Sequence, residues 1–244
     1  MYIKSNLLNR QTIRINAILL ILLSKPNIMK TAYVPFIADL ESMSDKQLAI
    51  AMELQALRQY IDCAPWEKYP YKPITVFDIA ASSSHLFIRF FVHGLGLKAE
   101  FDKTNSPVWE DSCVEIFIGD ENGLSYRNFE LNCIGTLLSS QRDGKDKNIV
   151  FMSETEAETI IRRTSLSSDT FKEIDGIHQW SLTVGIPFTS LGLANRPSVL
   201  RANFYKCADG SKYRHYVCWS PVNTDKPDFH RPEFFGTLIF NPQK

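Results

Sequence analysis

The chain has 244 residues, and its 27 Lys+Arg balance 27 Asp+Glu. It therefore lacks the one-signed field that draws a protein to nucleic acid or to an anionic membrane surface. At 44% hydrophobic and 22% charged it has an ordinary globular composition, which excludes disordered, collagenous and polytopic membrane classes. Five cysteines, Cys63, Cys113, Cys133, Cys207 and Cys218, contain no C-x-x-C pair, so neither a disulfide framework nor a zinc ribbon is indicated. Cys113, Cys133 and Cys218 sit in apolar or aromatic runs and read as small buried hydrophobes.

In chain order, Lys4, Arg10 and Arg14 precede the apolar run AILLILL at 17–23. The run imitates an export signal but lacks a small-x-small cleavage pattern, and it is too short to span a bilayer. Residues 1–28 read as a leader or upstream tail outside the fold, with Met29 in MKTAYVPFI as the natural start and 29–244 as a single domain.

Ser44 and Gln47 form a capping box, and Ile50, Leu54, Leu57 and Ile61 recur at helical spacing. This predicts one amphipathic helix packed outside the rest. From Pro73 the period changes to two, and Gly, Pro, Asn and Asp clusters break the pattern. Strands are predicted near 74–80, 85–93, 98–102, 113–118, 126–134, 136–141, 148–152, 158–165, 178–186, 199–206, 213–219 and 235–240. Many short strands with frequent turns imply an all-β sandwich or barrel. The loop NTDKPDFHRPEF at 223–234 is long and aromatic, the kind of segment that meets ligands.

No dinucleotide, P-loop, zinc-protease or nucleophile-elbow motif is present. His85, His93, His178, His215 and His230 lack metal-ligand spacing. In NSPVWEDSCVEIFIGD at 105–120, Trp109 stands at a Pro-marked loop edge and Glu115 lies mid-strand. A carboxylate there either faces solvent or bonds a fixed partner, for which a ligand hydroxyl qualifies. Alternation places Tyr126, Asn128, Glu130 and Asn132 on one face and Arg201, Asn203 and Tyr205 on another polar strip. Acids, amides and an arginine supply the donors and acceptors that a hydroxyl-rich ligand needs. Trp219 closes a strand before Ser-Pro, and with Trp109 it is predicted to hold a flat pyranose ring, whose apolar C–H faces pack on aromatic faces. Trp180, in phase with Leu182, Val184 and Ile186, is assigned to the core.

The strings PVWEDSCVEIFI, YRNFELNCIGT, WSLTVGIPFTSLG and CWSPVNTDKPDFHRPEFFGTLIF resemble, in order, the family 9 carbohydrate-binding modules and their stand-alone bacterial relatives, over about 31–241. The resemblance implies a non-catalytic, antiparallel β-sandwich of DOMON-like or jelly-roll type in a polysaccharide-utilisation setting, often with structural calcium and with no other cofactor required. It implies a sugar between two tryptophans, at the positions of Trp109 and Trp219, with Glu115 and Asn132 on its hydroxyls. The family pattern has an arginine where this chain has Glu130. Two alternatives stand beside this reading. One is a glycoside hydrolase using Glu115 and Glu130, which would stand about 5 Å apart if their strands pair with the two directly opposite. The other is a DOMON-type domain binding a protein or haem, the latter needing a Met/His pair on facing strands, for which Met152 and the five histidines are present but none is specially placed.

Overall fold

The computed structural model describes residues 29–122, 125–144 and 147–242; the reading of 1–28 as a leader lies outside them. Among the described residues thirteen strands run in chain order as β1 Thr31–Val34, β2 Leu57–Tyr60, β3 Ile74–Ala81, β4 His85–Ala99, β5 Cys113–Gly119, β6 Ser125–Asn132, β7 Leu137–Asp143, β8 Lys147–Phe151, β9 Ile161–Thr164, β10 Phe171–Pro187, β11 Val199–Cys207, β12 Tyr216–Cys218 and β13 Gly236–Phe240. Helix α1 spans Asp45–Gln55 and α2 spans Glu154–Glu158. One sheet has the order β1-β13-β11-β5-β6-β7-β8 with β12 added on β11, and the other has the order β2-β3-β4-β10-β9. All pairings are antiparallel except β1 with β13. The predicted β-sandwich is the fold observed.

Strict alternation sorts each central strand. Val114, Ile116 and Ile118 of β5, Phe129 and Leu131 of β6, and Leu200, Ala202 and Phe204 of β11 point between the sheets. They meet Phe77, Ile79, Phe90, Trp180, Leu182 and Val184 from the smaller sheet. The alternate residues Cys113, Phe117, Tyr126, Tyr205 and Cys207 face outward, yet they are buried in a second apolar cluster. A sheet whose outer face is also covered reads as near-continuous burial, and β5 is buried at every position.

The capping box at Ser44 and Gln47 forms as predicted, but the helix ends at Gln55. Its buried face is Leu48, Ala51 and Met52, packed with Ile37 and Leu40 against Ala80 and Phe87 on the outside of the smaller sheet. Leu54 is 76% exposed and Ile50 is exposed too. Leu57 instead opens β2, whose backbone pairs with β3, and Ile61 lies in the inter-sheet core. Strand pairing, a long-range interaction, thus overrides the local helical period. The segment 158–165 also starts differently, because Ser153 and Glu156 make a second capping box and nucleate α2. The predicted strands 85–93 and 98–102 are one strand, continuous through Gly96, whose φ of +73° suits only glycine in a bent strand.

Gly236 opens β13 where the backbone passes under Trp219. A Cβ at this position would sit 2.4 Å from Trp219 Cζ3 and 2.5 Å from the Lys30 carbonyl oxygen. Gly236→Ala is expected to cost about 1–3 kcal/mol through overpacking, read as a lower denaturant midpoint. An unchanged midpoint would mean that this approach is looser than described.

Candidate functional site

The site begins with a register. Glu115 of β5 stands directly opposite Glu130 of β6, and Tyr205 of β11 flanks Glu115 on its other side. Both glutamates point to the outer face, where they floor a half-open cavity of about 370 Å³. They are only 3% and 4% exposed. Asn128 Nδ2 donates to Glu130 Oε1 at 2.7 Å, and Cys207 Sγ donates to Glu115 Oε1 at 3.0 Å. Burial, reinforced by the nearby Cys207 and Glu130, pushes the Glu115 carboxyl well above the usual carboxylate range. Burial likewise pushes Glu130 up to about 7, opposed by the Asn128 bond and by the charge of Arg142. The floor thus presents one carboxyl biased toward the protonated, donor-bearing form, Glu115, beside a second, Glu130, that titrates near neutral pH.

Trp109 stands at the wall on a short 3-10 turn, Val108–Glu110, its ring 37% exposed. That turn is fastened from two sides. Asp209 N and Gly210 N donate to the carbonyls of Trp109 and Glu110. Fully buried Asp111 accepts from Glu100 N, Phe101 N and Asn132 Nδ2 at 2.9, 3.1 and 2.9 Å. The far wall is the long loop after β12. Tyr205 stacks on Phe229 at 4.0 Å and 14° and donates its hydroxyl to the Phe229 carbonyl. Tyr126 Oη and His230 Nδ1 are 2.9 Å apart. Asp209, which accepts from the Tyr216 hydroxyl, shares the rim with Arg142 and Asp228, and Phe151 of β8 adds a second exposed ring at 53%.

Of the predicted site residues, the cavity brings together Trp109, Glu115 and Glu130. Trp219 is a correction. Its ring has 0% exposure and lies between the sheets, edge-on to Phe77 and Phe204, with Nε1 donating to Gln59 Oε1. Strand alternation decides this: Cys218 takes the outward position of β12, so the next residue turns inward. Asn132 is also committed, to the Phe101 carbonyl, Asp111 and the Thr136 amide. Asn203 is spent on Ser220 O, Ser220 N and Phe204 N. Arg201 binds the Phe235 carbonyl and Met29 Sδ, outside the cavity lining. These three side chains brace the loops that carry the site.

Asn132→Ala is expected to cost about 1–3 kcal/mol of stability, because the buried Thr136 amide loses its acceptor. A drop in ligand affinity without a drop in melting temperature would instead make Asn132 a ligand partner.

The residues that sequence reading missed are Arg142, Phe151, Asp209, Tyr216, Phe229 and His230. The aromatic loop at 223–234 flagged two of them as a segment. Phe151 and Arg142 meet the cavity only because the β7–β8 hairpin folds beside β6, which no local pattern announces. Met152 belongs to the inter-sheet core and His230 to the cavity on the outer face, so these two do not face one another as a haem's axial ligands. The calcium implied by the resemblance is not suited by the metal-ligating cluster found among the described residues, Cys113, Glu115 and Cys207, because thiols are poor calcium ligands.

Against known proteins, the profile of carbohydrate-binding family 9 matches residues 45–240. The chain belongs to carbohydrate-binding family 9. A candidate carbohydrate-binding protein from Bacteroides uniformis is 30% identical with a TM-score of 0.82, the match covering 88% of this chain and all of that one, 100%. Family 9 carbohydrate-binding modules from Caldicellulosiruptor kristjanssonii, solved with cellotriose and with glucose, are each 13% identical. Their TM-scores are 0.53 and 0.51, covering 88% of this chain and 95% and 97% of theirs. At that identity the likeness is one of fold. No curated protein matches the chain. Among the described residues no helix of this family 9 member is long and apolar enough to cross a membrane.

Proposed function

We propose that this family 9 member binds a mono- or oligosaccharide reversibly, without cleaving it, in the cavity floored by Glu115 and Glu130, in a polysaccharide-utilisation setting. The observation that carries the reading is the exposed Trp109 ring at the wall of a cavity with carboxyl groups on its floor. The ring takes the apolar face of a pyranose, with Phe151 a further aromatic surface of the same cavity. Glu115, Glu130, Asp209 and Arg142 supply donors and acceptors for the hydroxyl edge. Family membership supports a carbohydrate ligand, and glucose and cellotriose, found in the Caldicellulosiruptor complexes, head the list of ligands to try.

Binding is read over hydrolysis because the family to which the chain belongs is one of carbohydrate binding.

The test is intrinsic fluorescence during titration with a panel of mono- and disaccharides. Trp180 and Trp219 are buried between the sheets, but Trp66 packs on Tyr216 and Phe229 of the cavity wall, so the titration is run beside Trp109→Ala to assign the change. A saturable change between micromolar and millimolar, about 4–8 kcal/mol, is the expected result. No change across the panel, with the fold intact, would overturn the reading.

A further inference from the structure

We propose that Cys113, Glu115 and Cys207 form a binding site for a thiophilic divalent cation of the zinc class, with its fourth coordination position facing the cavity. Cys113 and Glu115 are two residues apart on β5 and share its outer face. Cys207 lies directly opposite Cys113 on β11. The three donor atoms lie within 4.8 Å of one another, and Cys207 Sγ is 3.0 Å from Glu115 Oε1. A tetrahedral zinc ion, with bonds of about 2.3 Å to sulfur and about 2.0–2.2 Å to oxygen, holds its donors roughly 3.5–3.8 Å apart. Small side-chain adjustments therefore close the site.

Two further features favour a bound ion. Both strands are interior to the sheet, β5 between β11 and β6, and β11 between β13 and β5, so the donors stand on a rigid frame. Glu115 and Cys207 line the cavity as well, which gives an ion a path in and leaves one position for water or a ligand hydroxyl. Two sulfurs and one oxygen select zinc over calcium or magnesium. On binding, the two thiols and the carboxyl give up their protons to solvent, and the cation takes the three anionic donors. The inference does not rest on the saccharide reading, because the donors belong to the floor whatever occupies the space above.

Cadmium is the probe, since its thiolate complexes absorb in the ultraviolet. Cys63 and Cys218 face each other across an isolated bridge, so the titration is run on reduced, chelator-treated Cys63→Ser protein. One equivalent of Cd²⁺ is expected to produce the charge-transfer band and Zn²⁺ to displace it. Cys113→Ser and Cys207→Ser, each added to that background, should abolish the band. Glu115→Gln should keep both thiols but weaken binding on the order of tenfold or more. Absence of a band at saturating Cd²⁺, or a band that survives both cysteine changes, would overturn the proposal. Should the cysteine variants not fold, an unchanged cadmium affinity in Glu115→Gln overturns it equally. The titration contains no saccharide, so its failure and that of the fluorescence experiment are read separately.

Discussion

Trp219→Ala is expected to lower stability by about 3–5 kcal/mol, the range for truncating a large aromatic in a packed core, and so the melting temperature by on the order of 10 °C. The indole is fully buried, meets Phe77 and Phe204 edge-on with centroids at 6.3 and 5.5 Å, and lies against the backbone at Gly236. Its removal also strands Gln59 Oε1, which accepts from Nε1 at 3.0 Å. Differential scanning calorimetry measures the loss. Well below the new melting temperature the folded variant should bind saccharide as the parent does, because the ring does not reach the cavity. A variant as stable as the parent but unable to bind would return Trp219 to the ligand and refute the core assignment.

Trp109→Ala should behave in the opposite way. Its ring is more than one third exposed, and the turn that carries it is held by backbone and Asp111 contacts that the substitution leaves in place. Nearly two thirds of the residue is covered all the same, so stability should fall by about 1–2 kcal/mol, less than for Trp219→Ala. Saccharide affinity should fall by about 2–4 kcal/mol, the cost of losing an aromatic anchor, which is roughly 30- to 1,000-fold in Kd. Calorimetric titration of parent and variant with the best ligand of the panel decides it. Equal affinities would place the ligand elsewhere. The two tryptophans, paired in the sequence reading as one clamp, are thus separated by paired measurements of stability and affinity.

That separation shows what local pattern can reach. Alternation along β5, β6 and β11 sets Glu115 and Glu130 on the face opposite Val114, Ile116, Phe129, Leu131 and Phe204, and in the structure the two glutamates floor the cavity while the apolar set fills the core. The period of two carries this information because side chains on a strand must alternate. The same rule, applied backward from Cys218, turns Trp219 inward, but residue type and the neighbouring Ser-Pro argued for a loop edge. Asn132 and Asn203 lie on the predicted polar strips, yet they bond backbone groups of loops remote in sequence. Which acceptor such an amide finds is a property of the folded chain.

Composition and periodicity by themselves determined an all-β sandwich or barrel with an outer helix, a capping box at Ser44, and the strand face on which each of Glu115 and Glu130 stands. These follow from local sterics and from the burial of one face of each strand, which are written in consecutive residues. Tertiary structure alone decided where α1 stops, that the outer face of the larger sheet is also covered, and that Trp109 rather than Trp219 stands in the open. It also brought Arg142, Phe151, Asp209 and Phe229 around Glu115 and Glu130. Each of these depends on which distant segments pack together, and the free energy of that packing is shared among residues tens of positions apart.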